Sequence, residues 1–133
     1  MNNSFKSESI VAGKTYVFAL EIVKIYKRLI ADKKEYVLSK QLLRSGTSVG
    51  ANVNEAVSGH SKREFIYRLS IALKEAKETL YWLCLLKDSD FIDQEIFNQL
   101  KFSCEEIAKI LSSIIITTKE KYFTDKSAQN SKL

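Results

Sequence analysis

Proline is absent from this sequence, and glycine occurs four times, at Gly13, Gly46, Gly50 and Gly59. Proline removes a backbone donor and clashes with the preceding helical turn, so a chain without it is free to run in long helices. Cysteine is nearly as scarce: Cys84 and Cys104 are too few for a disulfide framework. They fall on what read as different helices and are expected as buried free thiols, which makes the cytoplasm the natural compartment. Histidine occurs once, at His60. With two cysteines it gives no zinc spacing, and there are no Glu-x-x-His pairs for a di-iron bundle site, so no metal or cofactor is expected. No apolar run reaches the ~18 residues of a membrane span. The longest, Ile110 to Ile116, is interrupted by Ser112 and Ser113. The polar start MNNSFKSES lacks the pattern of a signal peptide. No membrane is expected among the partners.

What is present is a chain of 133 residues, enough for one domain with a real core. Charged residues make up 28% and the formal net charge is +5, a mild basicity that permits nucleic-acid or acidic-protein contact without requiring it. The most informative stretch is QLLRSGTSVGANVNEAVSG, from Gln41 to Gly59. At 100° per residue, Leu38, Leu42, Gly46, Val49, Val53 and Val57 share one side of a helix. Arg44, Ser48 and Glu55 lie roughly opposite with Asn52 beside them, on a back built from Ser45, Thr47, Ser48, Gly50 and Ala51. Glycine costs about 1 kcal/mol against alanine in a helix interior, so Gly46 and Gly50 predict close backbone approach and cover on both flanks.

The rest of the chain supplies the neighbours. Residues 1–13 read as a flexible lead-in, 14–121 as the folded unit and 122–133 as a disordered tail. A first helix is predicted from Lys14 or Thr15 to about Ala31, with one stripe of Tyr16, Ala19, Leu20, Val23, Tyr26 and Ile30 and a second of Phe18, Ile22, Ile25 and Leu29. The second helix starts between Tyr36 and Ser39 and ends at Gly59, expected as a left-handed C-terminal cap. Ser61 and Glu64 then make a capping-box pattern for a third helix to about Lys87, whose stripe runs from Phe65 through Leu69, Ala72, Leu73, Ala76 and Leu80 to Leu83. Asp93 is the expected N-cap of a fourth helix to about Lys121, with Ile96, Leu100, Cys104, Ile107, Leu111 and Ile114 inward. Short links between long helices predict an all-α, up-down-up-down antiparallel four-helix bundle.

Catalysis has little to work with. His60 lies in a link with no nucleophile beside it in sequence, and Gly46 to Gly50 lacks the Lys-Ser or Lys-Thr of a phosphate loop, so no enzyme is expected. Binding has more. Arg63, Tyr67, Lys74, Lys77 and Tyr81 fall within about 40° of one line on the third helix. Cations there could neutralise phosphates and tyrosines could stack on bases, making the line a candidate surface for RNA or DNA. Lys24, Lys27 and Arg28 on the first helix are further candidates. A solvated face, or an interface covering Tyr67 and Tyr81, is the competing reading. Arg44, Ser48, Asn52, Glu55 and Glu78 are the candidate interface between copies. Arg44 and Glu55 are too far apart to pair within one helix, so each wants a partner such as Glu78 or Lys74 from a neighbouring helix or subunit.

Gln41, Leu42, Arg44, Ser48, Val49, Ala51, Asn52 and Glu55, followed by Phe65, Ile66, Leu69, Ala72 and Glu78, form a pattern that resembles a known family. It is that of the four-helix-bundle proteins encoded in intervening sequences of bacterial 23S rRNA genes, also labelled S23 ribosomal protein. The family is similar to the accessory variability determinant of diversity-generating retroelements. The resemblance runs from about Phe18 to Ile116, and Lys74-Glu75 departs from it where many relatives carry Gly-Ser. It implies a ring, typically a homopentamer, with a basic surface for nucleic acid and no catalytic activity. The alternative it leaves is an adaptor oligomer that docks a protein such as a reverse transcriptase without nucleic-acid affinity of its own.

Overall fold

The computed structural model describes the backbone of residues 3–131 and the side chains of residues 8–122. These residues form α1 (Asn3–Asp32), α2 (Leu38–Val57), α3 (Lys62–Asp88) and α4 (Gln94–Ser131), with no strand among them. Contacts fix the directions. Ile22 of α1 meets Gly46 of α2, and Thr15 meets Gly50. Arg44 of α2 reaches Glu75 and Glu78 of α3, and the Cys104 thiol of α4 donates to the Ala76 carbonyl of α3 at 3.0 Å. Numbers rise along α1 as they fall along α2, and the short links 33–37, 58–61 and 89–93 turn each helix back along the one before it, so the helices run up, down, up and down. Each packs on its chain neighbours, α1 closes on α4, and the diagonal pairs α1–α3 and α2–α4 do not approach.

The core follows a three-and-four spacing on every helix, the period at which one face recurs. On α1 the buried positions are Val11, Thr15, Phe18, Ile22, Ile25 and Leu29. The stripe containing Tyr16 and Leu20, also expected inward, is not core: those two are 66% and 47% exposed. Val11 and Thr15 extend the true stripe through Gly13, so α1 begins at Asn3 instead of near Lys14. Likewise α4 runs to Ser131, past the expected end near Lys121. Of the terminal stretches expected to be flexible, residues 1–2 and 132–133 and the side chains of 1–7 and 123–133 lie outside the described residues. Val57, placed on the apolar side of α2, is exposed at the helix end, and Ala56 is buried instead. Cys104 is buried as expected, whereas Cys84 is only half-buried, and both are free thiols.

The glycines of α2 have a steric explanation. A Cβ at Gly46 would stand 2.8 and 2.9 Å from Ile22 Cγ1 and Cγ2, and one at Gly50 would stand 3.3 Å from the Thr15 carbonyl oxygen. Both admit α1. On the other flank Ser45 is buried against α3, where Thr79 Oγ1 hydrogen-bonds Ser45 Oγ at 3.0 Å. The expected two-sided cover of α2 is therefore supplied by α1 and α3. Gly59 is not left-handed, contrary to its expected role. Ser58 closes the helix, and a Cβ at Gly59 would lie a tight 3.2 Å from the Ala56 carbonyl oxygen.

Two of the expected caps form: Ser61 Oγ accepts from the Glu64 amide at 3.1 Å, and Asp93 Oδ1 accepts from the Ile96 amide at 2.8 Å. The start of α2 uses a device that the sequence did not announce. Glu35 accepts from the amides of Val37, Leu38 and Ser39 at 3.1, 2.9 and 2.7 Å, satisfying donors that a helix start leaves open. Desolvation alone would raise its carboxyl. The bonds from Leu38, Ser39 and Val37 and from the Ser39 hydroxyl outweigh it and hold the group below its ordinary range.

Candidate interaction surfaces

Arg44 sits where α2 crosses α3, and its guanidinium is shared. Nη1 donates to Glu75 Oε2 at 3.3 Å, Nη2 donates to Glu78 Oε1, and Nε donates to Gln41 Oε1 at 3.4 Å. Trp82 Nε1 donates to the same Glu78 oxygen at 3.2 Å. Glu75, Glu78 and Trp82 recur along the α2-facing edge of α3, so one planar fork meets two carboxylates. The Arg44 side chain is 48% exposed and that of Glu75 only 15%, which makes this a seam contact open on one side.

Of the five residues named for an interface, the structure brings Arg44 and Glu78 together within the chain. Ser48 and Asn52 follow on the same face, where Asn52 Nδ2 donates to the Ser48 carbonyl at 2.9 Å. Glu55 is exposed and has no ion pair among the described residues. Sequence reasoning missed Gln41 and Trp82 as members of the network. It treated Glu75 only as a departure from a pattern, whereas Glu75 is one of the two acids that hold Arg44.

The α3 line is fully outward. Arg63, Lys74 and Lys77 are exposed, and Tyr67 and Tyr81 are 60% and 59% exposed. None of the three cations is held in an ion pair among the described residues. Tyr81 packs edge-on against Trp82 with ring centroids 5.1 Å apart, and Trp82 in turn donates to Glu78. Arg68, which the sequence did not single out, lies 5.8 Å over the Tyr67 ring, and its Nε is buried without a hydrogen-bond partner. Lys24, Lys27 and Arg28 are also exposed, but on α1, diagonal to α3. They form a separate patch and do not extend the α3 line.

These surfaces offer point charges and aromatic faces. His60 is exposed in the α2–α3 link, and no cluster of three or more His, Cys, Asp or Glu among the described residues could hold a metal. Burial pushes the Cys104 thiol up to about 12, with the Glu105 charge adding to it, so it is protonated and a poor nucleophile. No helix among the described residues is long and apolar enough to cross a membrane.

Comparison with known proteins gives one family. The sequence model for the 23S rRNA-intervening sequence protein matches residues 7–113. A crystal structure of a protein with unknown function from the S23 ribosomal protein family of Bacteroides thetaiotaomicron is 48% identical and superposes with a TM-score of 0.81. The likeness covers 82% of this chain and 97% of that one. Among curated proteins none matches.

Proposed function

The chain belongs to the 23S rRNA-intervening sequence protein family, and on that premise we propose that it is a non-enzymatic, homo-oligomeric bundle that binds RNA or DNA. The binding face is the outer line of α3. The observation that carries this reading is the exposure of Arg63, Tyr67, Lys74, Lys77 and Tyr81 in one row with no internal ion pairs. At 1.5 Å per residue the row is roughly 27 Å long, enough to follow several phosphates. One copy offers few contacts. A ring, a pentamer by family resemblance, multiplies them through effective concentration and needs no new chemistry. The two free thiols support the reducing cytoplasm as the place of action.

The test is a salt titration of binding to structured RNA, single-stranded RNA and duplex DNA. Three phosphate-neutralising cations per copy give a log–log slope of about −2 to −3 for each engaged copy. The triple variant Arg63→Glu, Lys74→Glu, Lys77→Glu abolishes this binding and keeps its helical circular dichroism. Salt-sensitive binding that survives in the variant would mean the face is wrongly assigned. Absence of affinity for all three nucleic acids, with stable capture of a protein such as a reverse transcriptase, would leave the adaptor role.

A further inference from the structure

The outer line of α3 carries two kinds of group, and they make different demands on a ligand. Cations attract phosphates whether the strand is paired or not. An aromatic ring stacks only on a base whose face is free, and in a duplex both faces of a base are covered by its neighbours. Tyr67 and Tyr81 are each more than half exposed, with Lys74 and Lys77 between them. At 1.5 Å per residue the two rings stand roughly 21 Å apart along the helix.

A duplex cannot bring its bases to these rings. α3 is flanked by α2 and α4, and packed helices lie about 8–10 Å axis to axis. The face they share is broader than the ~12 Å major groove of B-form DNA, and the major groove of A-form RNA is narrower still. A duplex would therefore rest on its phosphates and leave both tyrosines without a base. A single strand has no such barrier.

Arg68 sharpens the distinction. Its guanidinium carbon lies 5.8 Å from the Tyr67 ring centroid, over one face, and it makes no ion pair among the described residues. Its Nε is buried without an acceptor, so the side chain is anchored in the protein and its planar head covers the ring from one side. The exposure of Tyr67 leaves the opposite face for a base. The acids nearest the line, Glu75 and Glu78, are already held by Arg44 and do not oppose a phosphate with full charge. We infer that this face takes a single strand, with unpaired bases stacked on Tyr67 and Tyr81 and the intervening phosphates at Lys74 and Lys77, and that Arg68 is the positioning residue of the Tyr67 ring. This rests on the nucleic-acid reading and supplies the strandedness that it left open.

The experiment is an anisotropy titration with labelled oligouridine and oligothymidine of about 12 nucleotides, a length within single-strand site sizes, and with a blunt RNA duplex of the same length. Wild type is expected to bind the single strands at least about tenfold more tightly than the duplex. Tyr67→Ala and Tyr81→Ala each weaken single-strand binding by about 5- to 150-fold, keep the salt slope and leave duplex binding unchanged. Both rings are exposed, so the melting temperature is kept. Tyr67→Phe and Tyr81→Phe retain the wild-type affinity; phenylalanine variants as weak as the alanine ones would place the contact on the hydroxyls and overturn stacking. Arg68→Gln weakens single-strand binding, and its effect disappears in the Tyr67→Ala background. An additive loss with a shallower salt slope would make Arg68 an ordinary phosphate contact and overturn its assigned role. If paired and unpaired probes bind alike and the alanine variants keep their affinity, the single-strand inference is overturned while nucleic-acid binding stands. No affinity for any probe overturns both.

Discussion

Gly46→Ala adds one methyl group to a helix and ought to help it. Alanine is better than glycine in a helix interior by about 1 kcal/mol. The seam with α1 reverses the sign. The new Cβ would stand 2.8 and 2.9 Å from Ile22 Cγ1 and Cγ2 and 3.3 Å from Ile22 Cβ. Ile22 is fully buried, and a β-branched residue in a helix has one strongly preferred χ1, so rotation does not relieve the contact. Overpacking of this kind costs about 1–3 kcal/mol. With the helical gain subtracted, Gly46→Ala is destabilised by up to about 2 kcal/mol, a fall of up to roughly 8 °C in melting temperature. Gly50→Ala meets the Thr15 carbonyl oxygen at a looser 3.3 Å and changes less. The assay is urea unfolding at one fixed protein concentration, because association adds to apparent stability. Ile22→Ala removes the obstructing atoms at its own cost of about 2–5 kcal/mol, and in that background Gly46→Ala becomes stabilising by about 1 kcal/mol. The reasoning fails if Gly46→Ala stabilises the wild-type background, or if its effect is the same with and without the Ile22 side chain.

Three further outcomes follow from particular groups. Because the Glu35 carboxyl is held below its ordinary 4.5, the folded chain binds fewer protons there than the unfolded one, so its contribution is complete above about pH 4.5 and fades as pH falls through the lowered value. Glu35→Gln therefore loses about 1 kcal/mol or less at pH 7, and the gap from wild type narrows in acid denaturation below pH 4.5. A thiol reagent modifies half-buried Cys84 in the native protein and reaches Cys104 only on unfolding; equal rates would contradict the burial that pushes the Cys104 thiol up to about 12. Arg44→Ala costs about 1 kcal/mol or less, diminishing in high salt, because the guanidinium is 48% exposed. A salt-independent loss near 3 kcal/mol would instead show that a subunit covers it.

The bundle was readable because its apolar periods are long and unbroken, and in α3 and α4 the centre of each stripe was identified, whereas buried Thr79, Phe97 and Ile115 were not named and Phe65, Leu80 and Ile96 are only half-buried. The first helix was harder for a definite reason. Its two stripes are both apolar, and only the neighbouring helices decide that Phe18 is inside and Tyr16 outside. Buried Thr15, its hydroxyl donating to the Ala12 carbonyl at 3.1 Å, disguised the continuation of the core towards Val11. Arg44 advertised its need for a partner on a background of small residues, and Glu78 was a fair guess at what would satisfy it. Glu75 and Trp82 became visible only once the α2–α3 register was fixed. The outward line of α3 could be drawn from helical geometry alone. That Lys24, Lys27 and Arg28 stand apart from it depends on the order of helices around the bundle, which no single helix encodes.

That order also decides where association fits. The small residues of α2, which pointed to a second copy, are occupied within the chain: Ser45 by Thr79, Gly46 by Ile22 and Gly50 by Thr15. What α2 still presents is Ser48, Asn52 and Glu55, polar groups of the kind found at an interface rim. Exposed apolar side chains stand instead on α1 and α4, with Val17 and Phe102. A contact made there is compatible with the nucleic-acid proposal, since α1 is diagonal to α3. Copies joined along the α1–α4 side would leave Arg63, Tyr67, Lys74, Lys77 and Tyr81 open, one row per copy. Copies joined across α2 would meet the Arg44–Glu78–Trp82 network, which borders that row at Tyr81. The two arrangements separate in a single measurement: an oligomer built on the α1–α4 side protects Phe102 from hydroxyl-radical labelling and leaves Tyr81 accessible, and one built on α2 leaves Phe102 accessible.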